Sequence, residues 1–308
     1  MNSPIVLDLF SGCGGLSLGF KNAGYNIKYF VEYWKPAIET HKINFPECEL
    51  LGTDITSIDN KTISNIKDIE VIIGGPPCQG FSMAGNRNAD DARNQLYKHY
   101  LRFVKIISPK LVVIENVNGI LSMKSPEGER IISHITNDLI NLGYIVSYKK
   151  LKAVEYGIPQ KRERIFIIGI KKELYPTPNN KIFHVAESLR NIPEHYNAHL
   201  FSTPTTETIN KIRNLQQGQK FNKNYNLSRK RLYADRPSPT VTTVNLFIHP
   251  TEDRFLTPRE LARLQSFPDT FTFYGKKTCI TKQVGNAVPP KLAEVLAKKL
   301  LMEVIKNE

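Results

Sequence analysis

Short apolar runs separated by longer amphipathic stretches recur through the first 170 residues, and this alternation constrains the fold class more than any other feature. Ile5-Val6-Leu7, residues 27–31, Val71-Ile72-Ile73, 111–114, 144–148 and 165–168 read as strands, with a further strand ending near Asp54. Residues 16–22, 34–45 and 93–107 read as helices; in the last, Leu96, Tyr100, Leu101, Val104 and Ile107 share one face. Strands that are apolar along their whole length need cover on both faces, and helices alternating with them provide it. The expected fold is therefore α/β, a doubly wound, mostly parallel sheet. From about residue 171 the texture changes: Pro176, Pro178, Pro193, Pro204 and several Asn clusters interrupt any periodicity, which predicts a second, smaller domain. Helical patterning returns at 257–265, with Thr257 as N-cap, Pro258 at the first helical position and Glu260 as capping-box partner. A last helix over 289–304, with Leu292, Val295, Leu296 and Leu300 at helical spacing, should pack back on the first domain.

With 42 Lys and Arg against 29 Asp and Glu, the 308-residue chain carries a formal net charge of +13. That bias favours polyanions, nucleic acid ahead of an anionic membrane. In the smaller domain Lys220, Lys223, Arg229, Lys230, Arg231 and Arg236 interleave with Phe221, Tyr225 and Tyr233, a mixture suited to tracking phosphates and touching bases. No apolar run approaches the roughly 20 residues of a membrane-spanning helix, and Met-Asn-Ser-Pro lacks the opening of a secretory signal. Cys13, Cys48, Cys78 and Cys279 form no Cys-x-x-Cys pair, so no zinc site or disulfide framework is expected and the reducing cytoplasm fits best. His195-x-x-x-His199 has no third ligand and reads as a pair of surface histidines, Cys48 and Cys279 as structural or incidental, and Cys13 as a small packing residue.

Two stretches carry chemistry. In Gly74-Gly75-Pro76-Pro77-Cys78-Gln79-Gly80-Phe81-Ser82 a buried strand delivers one cysteine behind a rigid Pro-Pro step; the thiolate is the strongest nucleophile proteins carry. Asp8-Leu9-Phe10-Ser11-Gly12-Cys13-Gly14-Gly15 follows the first strand and opens a helix, a turn whose N–H groups can receive a polar ligand. Glu32, at the end of the second strand, is placed to bind ribose hydroxyls, and Asp54 to accept from an adenine amine. These features point to a nucleoside ligand without separating a dinucleotide from S-adenosylmethionine.

Taken with Glu115-Asn116-Val117, Gln160-Lys161-Arg162-Glu163-Arg164 and Gln283-Val284-Gly285-Asn286-Ala287-Val288-Pro289-Pro290, the two stretches resemble the ordered motifs of cytosine-C5 DNA methyltransferases of bacterial restriction-modification type. The resemblance spans nearly the whole chain, apart from about residues 171–235. It implies a Rossmann-like catalytic domain over 1–175 plus 276–308, a target-recognition domain over 176–275, S-adenosyl-L-methionine as cofactor and double-stranded DNA as substrate. It further implies that Cys78 adds to C6 of a flipped-out cytosine, Glu115 bonds N3, Arg164 holds O2, Arg162 positions the catalytic groups and the Pro77 carbonyl reads the exocyclic amine. Phe10, Gly12, Gly14, Gly15, Glu32, Tyr33, Asp54, Ile55, Pro76, Leu96, Asn286 and Ala287 are the implied cofactor contacts; Tyr33 stands where the family often has tryptophan. Ser82, Arg87, Gln160, Arg229, Arg231 and Arg236 are the implied DNA contacts, and residues 81–95 the loop that closes over the base. The implied protein is a monomer with a cognate restriction endonuclease as functional partner. A tRNA substrate and a non-catalytic DNA-binding role are the alternatives; a nicotinamide oxidoreductase would leave Cys78, Glu115 and the arginine pair unexplained.

Overall fold

A computed structural model describes residues 3–77, 96–125, 128–170, 176, 178–179, 181–193, 195–222 and 229–305, with side chains up to 301. Its main sheet has seven strands: β1 (Ile5–Leu9), β2 (Asn26–Val31), β3 (Glu49–Gly52), β4 (Val71–Gly74), β5 (Leu111–Val117), β6 (Ile145–Lys152) and β7 (Glu163–Ile170). They lie in the order β3-β2-β1-β4-β5-β7-β6; the first five are mutually parallel, and β7 runs antiparallel to both neighbours. The connection from β6 to β7 holds only one short 3-10 turn, Ala153–Tyr156, and a crossover to a parallel strand needs a dozen residues or more. The strand expected at 144–148 extends to Lys152 because β6 is the sheet's edge, where Lys149, Lys150 and Lys152 stay in water.

Helices α1 (Gly15–Asn22), α2 (Lys35–Asn44), α3 (Asn60–Asn65), α4 (Leu96–Ile107) and α5 (Ile131–Asn141) cover the two faces, joined by the terminal helix α10 (Pro290–Ile305). The strands sort their side chains with period two. Val6, Val71, Ile73 and Val113 meet Leu16, Phe20, Leu292, Leu296 and Leu300 on one side; Leu7, Leu9, Ile72 and Val112 meet Tyr100, Phe103, Ile135 and Leu139 on the other. Burying such a side chain stabilises by about 1.5–3 kcal/mol each. Strand order reverses between β1 and β4, so the loops after Leu9 and Gly74 part and leave a crevice at the carboxyl ends of the strands.

The remaining elements are α6 (Val185–Leu189), α7 (Thr206–Arg213), the paired β8 (Lys230–Arg231) and β9 (Phe247–Ile248), α8 (Pro258–Leu264) and α9 (Lys277–Asn286). The capping box at α8 forms as the sequence predicts: Thr257 Oγ1 accepts from Glu260 N–H, and Glu260 Oε2 accepts from Thr257 N–H at 2.7 Å. Leu232, Val241, Phe247, Leu256, Leu261 and Phe267 join the same core cluster as α1 and α10. Two expectations change here. Arg231, expected on the DNA side, is 5% exposed and donates to the carbonyls of Ile212, His249 and Glu252 and to Asp253 Oδ1. His199, expected at the surface, is buried with its Nδ1 2.9 Å from Thr257 Oγ1.

Candidate active site

The glycine turn after β1 is built on left-handed backbone: Phe10, Gly12 and Gly14 have φ of 59°, 56° and 92°. Glu32, buried at the end of β2, fixes the turn by accepting from Gly12 N–H through Oε2 and from Trp34 N–H through Oε1, each at 2.8 Å. Burial raises its carboxyl above the ordinary range, against the downward pull of those N–H groups. The three glycines are small for different reasons. A Cβ on Gly12 would meet nothing within 4 Å among the described residues, so Gly12 is not held small by any of them. A Cβ on Gly14 would lie 2.6 Å from Phe45, and one on Gly15 2.4 Å from the Val288 carbonyl. These two expected ligand contacts are therefore glycine to admit protein neighbours. The same packing seats Ala287, just beyond the end of α9, against Gly15 and leaves Asn286 exposed.

Around this turn the other candidates divide. Tyr33 is 74% exposed next to Glu32, while Leu96 is half-buried at the start of α4. Ile55 is buried, and its carbonyl accepts from Arg102. Asp54 is exposed and curls onto its own turn, accepting from Thr56 N–H at 2.9 Å and the Thr56 and Ser57 hydroxyls; the Thr56 bonds hold its carboxyl below the usual range.

Across the crevice, β4 ends in Gly74, where a Cβ would stand 2.1 Å from the Leu9 carbonyl, and continues through Gly75, Pro76 and Pro77. Cys78, Ser82, Arg87 and the loop 81–95 lie outside the described residues. What holds the approach to Cys78 is visible. Asn116 Nδ2 donates to the Pro76 carbonyl at 3.0 Å, and Asn116 Oδ1 accepts from Val117 N–H. A Cβ on Gly75 would lie 3.1 Å from Glu115 Oε2, so the carboxyl sits directly against this backbone.

Register brings Glu115 and Arg164 together. Val117 faces Arg164 and Glu115 faces Phe166 in the antiparallel β5–β7 ladder, which makes Glu115 and Arg164 diagonal neighbours on one face. Arg164 Nε lies 2.8 Å from Glu115 Oε1 and both side chains are largely buried. Burial raises the Glu115 carboxyl, with Arg164 and then Arg162 pulling the other way.

Arg162 and Gln160 do something else. Arg162 is fully buried and donates to the carbonyls of Val241 at 2.9 Å and Gly285 at 3.0 Å. Gln160, expected among the DNA contacts, is fully buried too; it accepts from Val241 N–H and donates to Leu264 O and Gln265 Oε1. Gln265, which carries no sequence signal of its own, passes the chain on to the carbonyls of Val284 and Ala287. The motif's first two polar groups thus tie the smaller segment to the end of α9, and only Arg164 reaches the carboxylate.

The model of the C-5 cytosine-specific DNA methylase family matches residues 5–302. The chain belongs to that family. It is a DNA cytosine-5-methyltransferase. Type II methyltransferase M.DdeI of Desulfomicrobium norvegicum is 35% identical to it over 365 residues, spanning 96% of this chain and 88% of that protein. M1.HphI of Haemophilus parahaemolyticus is 38% identical over 327 residues, spanning 97% and 87%. A crystal structure of a prophage-encoded protein from E. coli, described as a DNA modification methyltransferase, matches with a TM-score of 0.82 and 32% identity over 99% of this chain and 100% of that one. The Dnmt2 methyltransferase of S. pombe, at 18% identity and a TM-score of 0.72 over 98% and 99% of the two chains, shares the fold.

Methyltransferase membership and the fold imply S-adenosylmethionine as methyl donor. Arg229 and Arg236 remain as basic candidates at the surface, one over the Phe255 ring at 4.6 Å and one over Tyr233 at 3.9 Å. Asp235 also pairs with Arg236.

Proposed function

We propose that this methylase acts on C5 of a cytosine flipped out of a specific double-stranded DNA sequence, through a covalent bond between Cys78 and C6, in a restriction-modification setting. The observation that carries the reading is the buried Glu115–Arg164 pair, 2.8 Å apart and pressed against Gly75, three residues before Cys78. Cytosine C5 is too weak a carbon nucleophile to take a methyl group unaided. A Cys78 thiolate adding at C6 pushes electrons toward N3, where the Glu115 carboxyl, whose hold on a proton burial strengthens, donates a hydrogen bond in its acid form. Arg164 uses Nε on Glu115 and one Nη on the Glu163 carbonyl, and its remaining N–H groups serve the base O2. S-adenosylmethionine, held by the Gly12 turn, Glu32 and Tyr33, supplies the electrophilic methyl group. C5 then loses its proton to a base, and the Cys78 sulfur leaves C6 as a thiolate, restoring the ring.

Cys13 and Cys48 suit no such role: both are buried, and burial pushes the Cys13 thiol up to about 12. Arg162 acts through Val241 and Gly285, holding the segment 176–275, which we assign to target recognition, against the catalytic part formed by 1–175 and 276–308. Arg229 and Arg236 contact phosphates from that segment. Asp54, engaged in its own turn, retains lone pairs for an adenine amine. The protein works as a monomer in the cytoplasm beside a cognate endonuclease. The test is transfer of labelled methyl groups to unmethylated genomic DNA and to total tRNA, with base-resolution mapping and Cys78→Ser alongside. Label at C5 in one short DNA sequence, absent from the variant, supports the reading; label in tRNA alone moves the chemistry to RNA, and no label in either overturns it.

A further inference from the structure

Beneath the glycine turn lies a polar chain that the methyl-transfer chemistry leaves unused. Asp8 on β1, Ser17 on α1 and His41 on α2 are all fully buried. Ser17 Oγ stands 2.5 Å from Asp8 Oδ2 and 3.1 Å from His41 Nε2, linking the three elements that surround the turn. The His41 ring stacks on Phe30 with centroids 4.0 Å apart, and its Cδ2 lies 3.1 Å from where a Gly14 Cβ would stand, so it forms part of the turn's floor. Asp8 Oδ1 and His41 Nδ1 have no hydrogen-bond partner among the described residues, and no ion pair to Asp8 occurs among them. The groups that face Asp8 are Glu32 from β2, Tyr100 from α4 and the Cys48 thiol before β3; Lys21 on α1 faces His41. An anion at Asp8 would therefore sit against a second carboxylate with no counter-charge.

We propose that Asp8, Ser17 and His41 are positioning residues for S-adenosylmethionine, a buried hydrogen-bonded strut that holds the glycine turn in binding shape and that an unpaired charge on Asp8 would loosen. The inference rests on the reading that this turn holds S-adenosylmethionine. Its logic is linkage. An ionised Asp8 gains solvation only if the turn opens to water, whereas a bound ligand closes the turn, so the ligand favours the protonated form and takes up a proton on binding to the ionised one. Burial agrees with this, raising Asp8 to about 8 while holding His41 neutral by pushing it down to about 3. With Asp8 neutral the Ser17 hydroxyl can donate to either partner; with Asp8 ionised it is committed to the carboxylate, and His41 must present Nε2–H to Ser17.

The test is calorimetric titration of the full chain with S-adenosylmethionine from pH 6.5 to 9.5, in two buffers of different ionisation enthalpy, for wild type, Asp8→Asn and Ser17→Ala. Asparagine keeps the shape of the neutral acid and cannot ionise. The ligand's own amino group titrates in the same range but is common to all proteins, so the difference between variants isolates Asp8. The expected result is a wild-type affinity that weakens above about pH 8, by at most about tenfold per pH unit relative to Asp8→Asn, with proton uptake that Asp8→Asn lacks. Ser17→Ala should bind more weakly across the whole range. Equal pH dependence in wild type and Asp8→Asn, with binding intact, overturns the strut alone; failure of wild type to bind at any pH overturns the cofactor reading and the strut with it.

Discussion

Replacing Gly19 by alanine should destabilise the methylase although alanine is the better helix former. Gly19 lies in the middle of α1, where the change would ordinarily stabilise by about 1 kcal/mol. Here the added Cβ would stand 2.3 Å from Ala293 Cβ and 2.6 Å from both Glu294 N and the Pro290 carbonyl on α10. Carbon atoms in contact prefer about 3.5–4.0 Å, so α1 and α10 would have to part by at least roughly 1.2 Å. No rotamer change relieves the clash, because two of the three obstructing atoms are backbone. Separation would loosen Leu292, Leu296 and Leu300, all fully buried, and drag Gly15 from the Val288 carbonyl it packs against. Overpacking of a tight core costs about 1–3 kcal/mol, occasionally more, and with backbone in the way the upper end applies, leaving a net loss of about 2 kcal/mol after the propensity gain. For a chain of this size that corresponds to a melting point lower by roughly 3 °C, with weaker S-adenosylmethionine binding because the displaced helix carries the turn. Thermal and urea melts of Gly19→Ala and Gly52→Ala provide the assay. A Cβ on Gly52 meets only the movable Ile58 side chain at 3.1 Å, so that variant should melt close to wild type. A Gly19→Ala protein melting at or above wild type would show that α1 and α10 are not in obligatory close contact, and the packing argument would fail.

Glu115→Gln should lower methyl transfer by about 10²–10⁴-fold with S-adenosylmethionine affinity unchanged, since an amide cannot stand in for the carboxylic acid at N3; because burial raises Glu115, the wild-type rate should hold past the ordinary carboxylate range and fall as pH rises through the raised value, a limb missing in the variant. Asp8, raised from 3.8 to about 8, contributes stability that is complete below about pH 4 and lost as pH rises toward 8. The melting point of wild type relative to Asp8→Asn should therefore decline across that window and level off above it; parallel curves would contradict a buried protonated acid. Arg231→Met should cost about 2–4 kcal/mol by stranding three carbonyls and Asp253, while leaving the salt dependence of DNA affinity alone. Arg229→Ala should do the reverse, reducing the slope of log affinity against log salt by about 1 with little change in melting point.

The parallel half of the sheet was legible because β1, β4 and β5 are buried on both faces and so write continuous apolar runs into the chain. The edge strand β6 writes Lys149-Lys150-Leu151-Lys152 instead, and nothing in that run distinguishes an edge from a loop. The antiparallel placement of β7, which creates the Glu115–Arg164 diagonal, follows from loop length and register and has no signature at either residue. Polar residues were harder in a specific way. Arg231 and Arg229 are two positions apart in a basic, aromatic-rich stretch, yet one is sealed among carbonyls and the other is exposed. A guanidinium suits both environments equally, as five donors satisfy backbone oxygens as readily as phosphates. Gln160 was misplaced for the same reason. The glycines of the turn show the complementary limit: spacing reveals that side chains are absent, but not whether ligand or protein fills the space.

The buried polar groups also tie distant parts of the chain into one frame. Arg162 stands one residue before β7 and Arg164 is the second residue of that strand, so two guanidiniums leave the chain within three positions and find different partners. Arg164 meets Glu115 Oε1, while Arg162 meets Val241 and Gly285 at the end of α9. Gln160 and Gln265 extend that second contact to Ala287, which packs on Gly15 of the glycine turn. A path of hydrogen bonds, completed by the packing of Ala287 on Gly15, therefore runs from Val241 past the start of β7 to the glycine turn. Buried groups of this kind hold their geometry tightly because every lost bond leaves an unsolvated donor or acceptor, at about 1–3 kcal/mol each. Displacing Val241 would disturb Arg162 and Gln160 together, since its carbonyl accepts from the one and its N–H donates to the other.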